Sequence, residues 1–369
     1  MNGKAVFPGG NVQSLDNIAG QPIAEYTHSK SGTVHKLEGP EKAKHIVFKA
    51  TGDYNDGDTW TLNNKPVTVT YNGGEELLPT TVLAKDTVQA VLDGNHLWPM
   101  LQKPEPQDSI LKNGDWRHGI INQRGQKSYG TGYGIDMWYG YGTGNITLED
   151  DGIVIKNTGD TQFQIEQFFE DQDAFDGNTY TLSVLVNGKI YTLTATIDLS
   201  LSLFEKYIYP ITHFGILLYK GQSNKFFVCL QCRDGISAKA SAVKLEPGNR
   251  FTGWPAWDYG AELSKCQRYF CKIDQVANGF ITGSRTSMRL SAITPVTMRT
   301  KPALTDFKVI NVRTTSGSSI TPDITGTSIE ALTQCGATIT VDSQTFNTEP
   351  YVNNTPISAR IEGFLDANL

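Results

Sequence analysis

Along most of this 369-residue chain, apolar and polar residues alternate in short runs, each closed by Gly, Asn, Asp or Pro. A period of two sends one side of a run into a core and the other toward water, which is the signature of a β-strand. HIVFKA (45–50) and TWTLNN (59–64) flank the turn DYNDGD, and KPVTVTYNGGEE and TTVLAKDTVQAVLDGNHLW follow, each broken at Gly or Asn-Gly. GNITLEDDGIVIKNTG reads as a hairpin about Asp150, Asp151 and Gly152. The clearest hairpin is TYTLSVLVNGKIYTLTATI, whose strands flank Asn187-Gly188, the pair that suits a type I′ turn. HFGILLY, KFFVCLQC and ASAVKLEP add strands, and MRLSAITP, FKVINVRT, ATITVD and SARIEGFLDANL complete the series. Only YGAELSKCQRYF, Tyr259 to Phe270, has a helical period. Leu263, Cys266, Tyr269 and Phe270 make its apolar stripe, and Glu262, Lys265 and Arg268 fall away from it.

The pattern predicts an all-β protein in several pieces, and the length alone suggests two or three domains. Residues 1–30 read as an N-terminal arm and 31–100 as a small β domain. Residues 101–107 form a linker carrying Pro104 and Pro106. Residues 108–257 supply enough strands for a two-sheet sandwich, best described as a jelly roll. A short linking helix (258–271) and a C-terminal β domain (272–369) follow.

The formal net charge is −6 with no cluster of Lys and Arg, so duplex nucleic acid is not an expected partner. MNGKAVFPGGNVQSL has no long apolar stretch, and no apolar run is long enough to cross a bilayer. Neither a secretory signal nor membrane insertion is expected. The five cysteines (Cys229, Cys232, Cys266, Cys271 and Cys335) are odd in number, so a disulfide framework is not expected. Alternation places Cys229 and Cys232 on opposite faces of a strand, which argues for structural thiols and against a zinc site.

Candidate chemistry is sparse. The six histidines (His28, His35, His45, His96, His118 and His213) form no metal-ligand spacing, and no G-x-S-x-G elbow exists. A hydrolase acting on a polysaccharide would need two facing carboxylates. Glu149, Asp150 and Asp151 are one acidic run and Glu170, Asp171, Asp173 and Asp176 another, and both border glycine turns as solvated loops do. Asp171, Asp173 and Asp176 are the calcium candidates, since oxygen-rich loops between strands suit a hard cation. The DYNDGD turn fits a calcium loop poorly, because its Gly57 is fifth and Asn64 stands twelfth. No helix-forming run follows the glycines 130 to 144, so they do not make a phosphate loop. Among them stand Tyr133, Trp138, Tyr139 and Tyr141, whose rings could stack on the apolar faces of sugars with glycine leaving room. Trp138 is expected in the sandwich core, while Tyr139 and Tyr141 are open to either use. Trp254 and Trp257 are expected to pack near the helix. Tyr259, Leu263, Cys266, Arg268 and Tyr269 mark a joint, either between domains of one chain or between chains.

Three segments in order, NQRGQKSYGTGYGIDMW (122–138), YGAELSKCQRYF and ARIEGFLDANL, resemble tail-fibre and receptor-binding proteins of tailed bacteriophages and prophages. NGDWR (113–117) before NQRG is similar to that family's opening of a jelly roll resembling carbohydrate-binding modules, and KLEPG (244–248) to its closing strand. Ala261 and Phe270 depart from the family's helix, which has Glu and Tyr there. GDTWTLNNKPVTV is similar to a domain near the N-terminus of such proteins. The resemblance implies a non-enzymatic virion or tail-like-particle protein, made in the bacterial cytoplasm, that attaches to host-surface glycan. It implies a homotrimer joined through its N-terminal part to other tail or baseplate proteins, with no cofactor beyond the possible calcium. A purely structural tail component and a polysaccharide-degrading tail enzyme are the rival readings.

Overall fold

The computed structural model describes residues 4–6, 12–14, 23–220, 225–282, 287–314, 319–320, 323–333, 336–343 and 355–367. Among them the protein is all-β with a single α-helix. Much of the expected arm (1–30), Cys335, and the last two residues of the LDANL ending lie outside the described residues. Two compact units form, each from two segments: Met1–Gly114 with Phe169–Ala256, and Asp115–Phe168 with Trp257–Leu369.

In the first unit, Lys4–Val6 pairs antiparallel with Val12–Ser14. Seven strands then close a barrel in the order Ala24–Ser31, Val34–Glu38, Thr59–Leu62, Lys65–Val69, His96–Pro99, Thr87–Asp93 and His45–Lys49. Closure leaves no unpaired edge. Leu37, Ile46, Phe48, Trp60, Val88, Ala90 and Leu97 fill the inside. The same unit holds two antiparallel ladders: Ser237–Pro247 beside Thr179–Val186 beside Lys189–Thr196, and Phe226–Arg233 beside Phe214–Lys220 beside Phe204–Ile211. The expected turn at Asn187-Gly188 is present, with both residues at positive φ (49° and 79°) and Val186 opposite Lys189.

The second unit contains the ladders Ser128–Tyr129, Gly144–Glu149, Gly152–Asn157 and Gly132–Tyr133, Tyr139–Gly142, Gln162–Phe168. It also contains a seven-stranded sheet ordered Ser319–Ile320, Ala303–Thr314, Pro356–Asp366, Phe270–Ile281, Ser287–Ile293, Gly336–Ser343, Ile324–Thr333. One face of that sheet carries an apolar core that includes Ile273, Ala277, Ile281, Leu290, Ile339, Val341, Ile361 and Leu365. The helix runs only from Tyr259 to Gln267, shorter than the helical period suggests. Asp258 caps it, its Oδ1 accepting the Ala261 N–H at 3.0 Å. Tyr269 is past its end and Phe270 already begins a strand, because the Tyr269 carbonyl accepts the Ala367 N–H at 2.6 Å and so joins the sheet.

Candidate ligand-binding face

Tyr139–Gly142 lies between Gly132–Tyr133 and Gln162–Phe168, with Tyr133 opposite Tyr139, Tyr139 opposite Glu166, and Tyr141 opposite Gln164. Opposed residues share a face, and the period of two adds Gln162. Three tyrosines, two glutamines and a glutamate therefore share one side of the ladder, and Gly140, Phe163 and Ile165 take the other. Tyr141 is 54% exposed, Tyr133 and Tyr139 are half-buried, and Gln164 and Glu166 form a buried floor. Tyr133 stands edge-on to Tyr139 with ring centroids 5.1 Å apart. Gln162 Nε2 donates to Gln164 Oε1 at 3.1 Å, and Gln164 Nε2 donates to Glu166 Oε1. Burial holds the Glu166 carboxyl above its ordinary range against the pull of the Gln164 amide. Burial, and after it the charge of Asp366, pushes Tyr133 up to about 12.

Trp138 belongs to the core: fully buried, it meets Trp116 edge-on at 5.4 Å. The glycines have a different role from the one expected. A Cβ on Gly140 would lie 2.4 Å from the Gly130 carbonyl oxygen, and one on Gly142, at φ +96°, would lie 2.0 Å from that of Gln162. Gly140 and Gly142 let backbones approach, and neither stands against the rings of Tyr133, Trp138, Tyr139 or Tyr141.

The recognisable motifs are devices of assembly. In NQRG, Asn122 Oδ1 accepts from the Gly125 N–H (3.2 Å) and from the Tyr129 hydroxyl. Gln123 Nε2 donates to Asp136 Oδ2 (2.6 Å) and to the Phe270 carbonyl (2.5 Å), while its Oε1 accepts the Lys272 N–H (3.2 Å). Arg124 lies over the Phe270 ring at 3.5 Å, between Asp136 (3.6 Å) and Asp366 (3.7 Å). Burial pushes Asp136 up to about 6 despite these partners. Asp115 and Arg117 of NGDWR form a fork at 2.6 and 2.8 Å.

In KLEPG, Lys244 and Glu246 are a fully buried ion pair at 3.0 Å. Lys244 Nζ also donates to Thr252 Oγ1 (2.9 Å) and to the Gly253 carbonyl (2.7 Å), and Glu246 accepts the Thr252 N–H (3.2 Å). The segment so fixed holds the barrel: Arg250 donates to the Thr80 and Thr81 carbonyls (3.0 and 2.5 Å) and pairs with Asp86 (2.8 Å). The Phe251 N–H donates to Thr80 Oγ1 at 2.7 Å.

Other expected sites are dispersed. Asp171 and Asp173 border a 3₁₀ turn, Asp173–Phe175, and Asp176 Oδ1 accepts the Leu199 N–H at 2.7 Å. Among the described residues no group of three His, Cys, Asp or Glu side chains could hold a metal ion. Asp56 of DYNDGD accepts the Ile190 N–H at 2.7 Å, and Asp58 is enclosed by Lys30, His35 and Asn55. Cys229 and Cys232 are both buried, and burial pushes the Cys232 thiol up to about 12. At the joint, Cys266 and Tyr269 are buried, Leu263 is half-buried, Tyr259 and Arg268 are exposed, and the Arg268 carbonyl accepts the Arg299 N–H. Trp254 packs on Phe251 in the first unit, and Trp257 packs on Tyr259 in the second.

Two groupings escape a reading of spacing alone. His28 and His35, far from His96 and His118 in the chain, stand 2.9 Å apart inside the barrel. Tyr207 and Tyr209, 52% and 46% exposed, sit on the strand Phe204–Ile211 with rings 5.3 Å apart. The alternation in YIY was the available signal for the second. Comparison of the chain with protein-family models, with curated proteins and with solved structures gives no match.

Proposed function

We propose that this is a bacteriophage or prophage tail protein that recognises a glycan of the bacterial surface, without catalysis, through the face of Tyr133, Tyr139 and Tyr141. Its main support is the exposed Tyr141 ring beside a fixed amide and carboxylate row. Tyrosine offers an apolar plate for a sugar ring, and Gln and Glu offer directional partners for hydroxyls. The resemblance of NQRG, the helix and the C-terminal strand to tail proteins supplies the biological setting. In that setting the N-terminal part attaches to the tail or baseplate and the chain works as a homotrimer. Repeated weak sites then gain strength by avidity.

Binding of the purified chain to host-wall polysaccharides on a glycan array tests the reading. Retention of a polysaccharide by the wild type and its loss in Tyr141→Ala is the expected result. Uniform absence of binding removes the receptor role and leaves the structural tail component as the better account. Light scattering that returns a monomer removes the trimer.

A further inference from the structure

The candidate face is built as a repeat. Tyr139 stands beside Glu166 and Tyr141 beside Gln164, so each aromatic plate has one polar neighbour. Two residues along a strand span about 7 Å, and directly opposed side chains are about 5 Å apart. The row therefore presents two plates in line with the strand, each flanked by a hydrogen-bonding group. The amide orientations are set from one end: Gln162 donates to Gln164, Gln164 donates to Glu166, and the carboxylate terminates the series. Glu166 is 6% exposed, and no cation is among the six residues of the face. The cations that act on Tyr133, Arg124 and Arg299, are engaged elsewhere, Arg124 between Asp136 and Asp366 and Arg299 against Tyr269. A carboxylate in a poorly solvated floor acts on a neighbouring charge more strongly than one in water does.

Resting on the glycan reading above, we infer that this face takes an extended, uncharged saccharide of at least two rings, laid along Tyr139–Gly142, and that Glu166 discriminates against acidic sugars. A neutral ring brings hydroxyl donors to the Gln164–Glu166 row. A uronate brings a second negative charge beside Glu166, and none of the six residues of the face is a cation, so the discrimination comes from repulsion as much as from fit.

The test is calorimetric titration of the full chain with short oligomers of a neutral hexose and of a hexuronate, against the wild type, Tyr141→Ala and Glu166→Gln. Expected are binding of the neutral oligomer, weaker binding of its monosaccharide, and a hexuronate affinity lower by about ten-fold or more. Glu166→Gln should narrow that gap, and Tyr141→Ala should weaken the neutral ligand by about ten-fold. Hexuronate binding as tight as that of the neutral oligomer overturns the inference and leaves the glycan reading in place. An unchanged affinity in Tyr141→Ala overturns it too, by moving the ligand off this face. Failure of the wild type to bind either oligomer, when the array shows retention of an acidic polysaccharide, also overturns the inference alone; failure on both overturns the glycan reading as well. The comparison of ligands on the unaltered chain decides the matter even where Glu166→Gln does not fold.

Discussion

The Thr51 N–H donates to His28 Nδ1 at 2.9 Å, and that one bond sets the protons of a buried series. His28 must carry its hydrogen on Nε2, which faces His35 Nδ1 at 2.9 Å, and His35 must then carry its own on Nε2, 3.1 Å from Asp58 Oδ2. Both rings are satisfied only when neutral. Burial first, and then the charges of His35 and Lys30, lower His28 to about 4; burial lowers His35 as well, against Asp58. A histidine with a depressed folded pKa binds its proton more readily unfolded. Its contribution to stability is therefore complete above about 6.5 and is lost as pH falls through about 4. Urea unfolding should show a loss on the order of 3 kcal/mol from His28 between pH 7 and pH 4, flattened in His28→Gln. Asp136 has the opposite sign. With its folded pKa raised to about 6, its contribution is present below the unfolded value and is lost as pH rises through 6. Asp136→Asn should remove that slope. At the strand Tyr139–Gly142 and the residue before it, Trp138→Ala should cost about 3–5 kcal/mol and Tyr141→Ala within about 0.5 kcal/mol, read by the same unfolding assay. Alternation made this contrast legible, since Trp138 and Tyr139 are adjacent and must point apart. The role of the glycines was not legible, because it depends on carbonyls of Gly130 and Gln162 that only the paired strands bring near.

Strands could be read from their own period, and so could pairing between neighbours in sequence; pairing with distant partners could not. The hairpin at Asn187-Gly188 needs only its own two strands, so pattern and turn chemistry agree on it. The strand Pro356–Asp366 lies between Phe270–Ile281 and Ala303–Thr314, an order that no local period encodes. The helix shows the same limit. Its stripe extends to Phe270 in sequence, but the sheet claims Tyr269 and Phe270 once the terminal strand pairs with them. Asp258→Ala should cost about 1 kcal/mol, measured by thermal unfolding, since it leaves the Ala261 N–H without its cap. Gly142→Ala should be far worse than its size suggests. It places a methyl 2.0 Å from the Gln162 carbonyl at a left-handed φ, and loss of near-ultraviolet circular dichroism is the expected readout.

At the scale of the molecule, each unit unites two segments distant in sequence and uses a short motif to do so. Gln123 and Arg124 bind Phe270, Lys272 and Asp366 in one unit; Lys244 and Glu246 fix Thr252, and through Arg250 and Phe251 the barrel, in the other. The motifs that carried the resemblance thus report on construction, and the face proposed to take a ligand is made of other residues. Lys244→Met should cost about 3–5 kcal/mol by leaving Glu246 buried without its cation, and Lys244→Met with Glu246→Leu should recover much of that in the same denaturant titration. The buried pair has a consequence for how such a chain can diversify. Lys244, Glu246 and Thr252 constrain one another, so drift at any of them is tolerated only in company. Tyr141, Tyr207 and Tyr209 are exposed and can be exchanged singly. A lineage built on this plan can alter its exposed surface one residue at a time while its framework stays fixed.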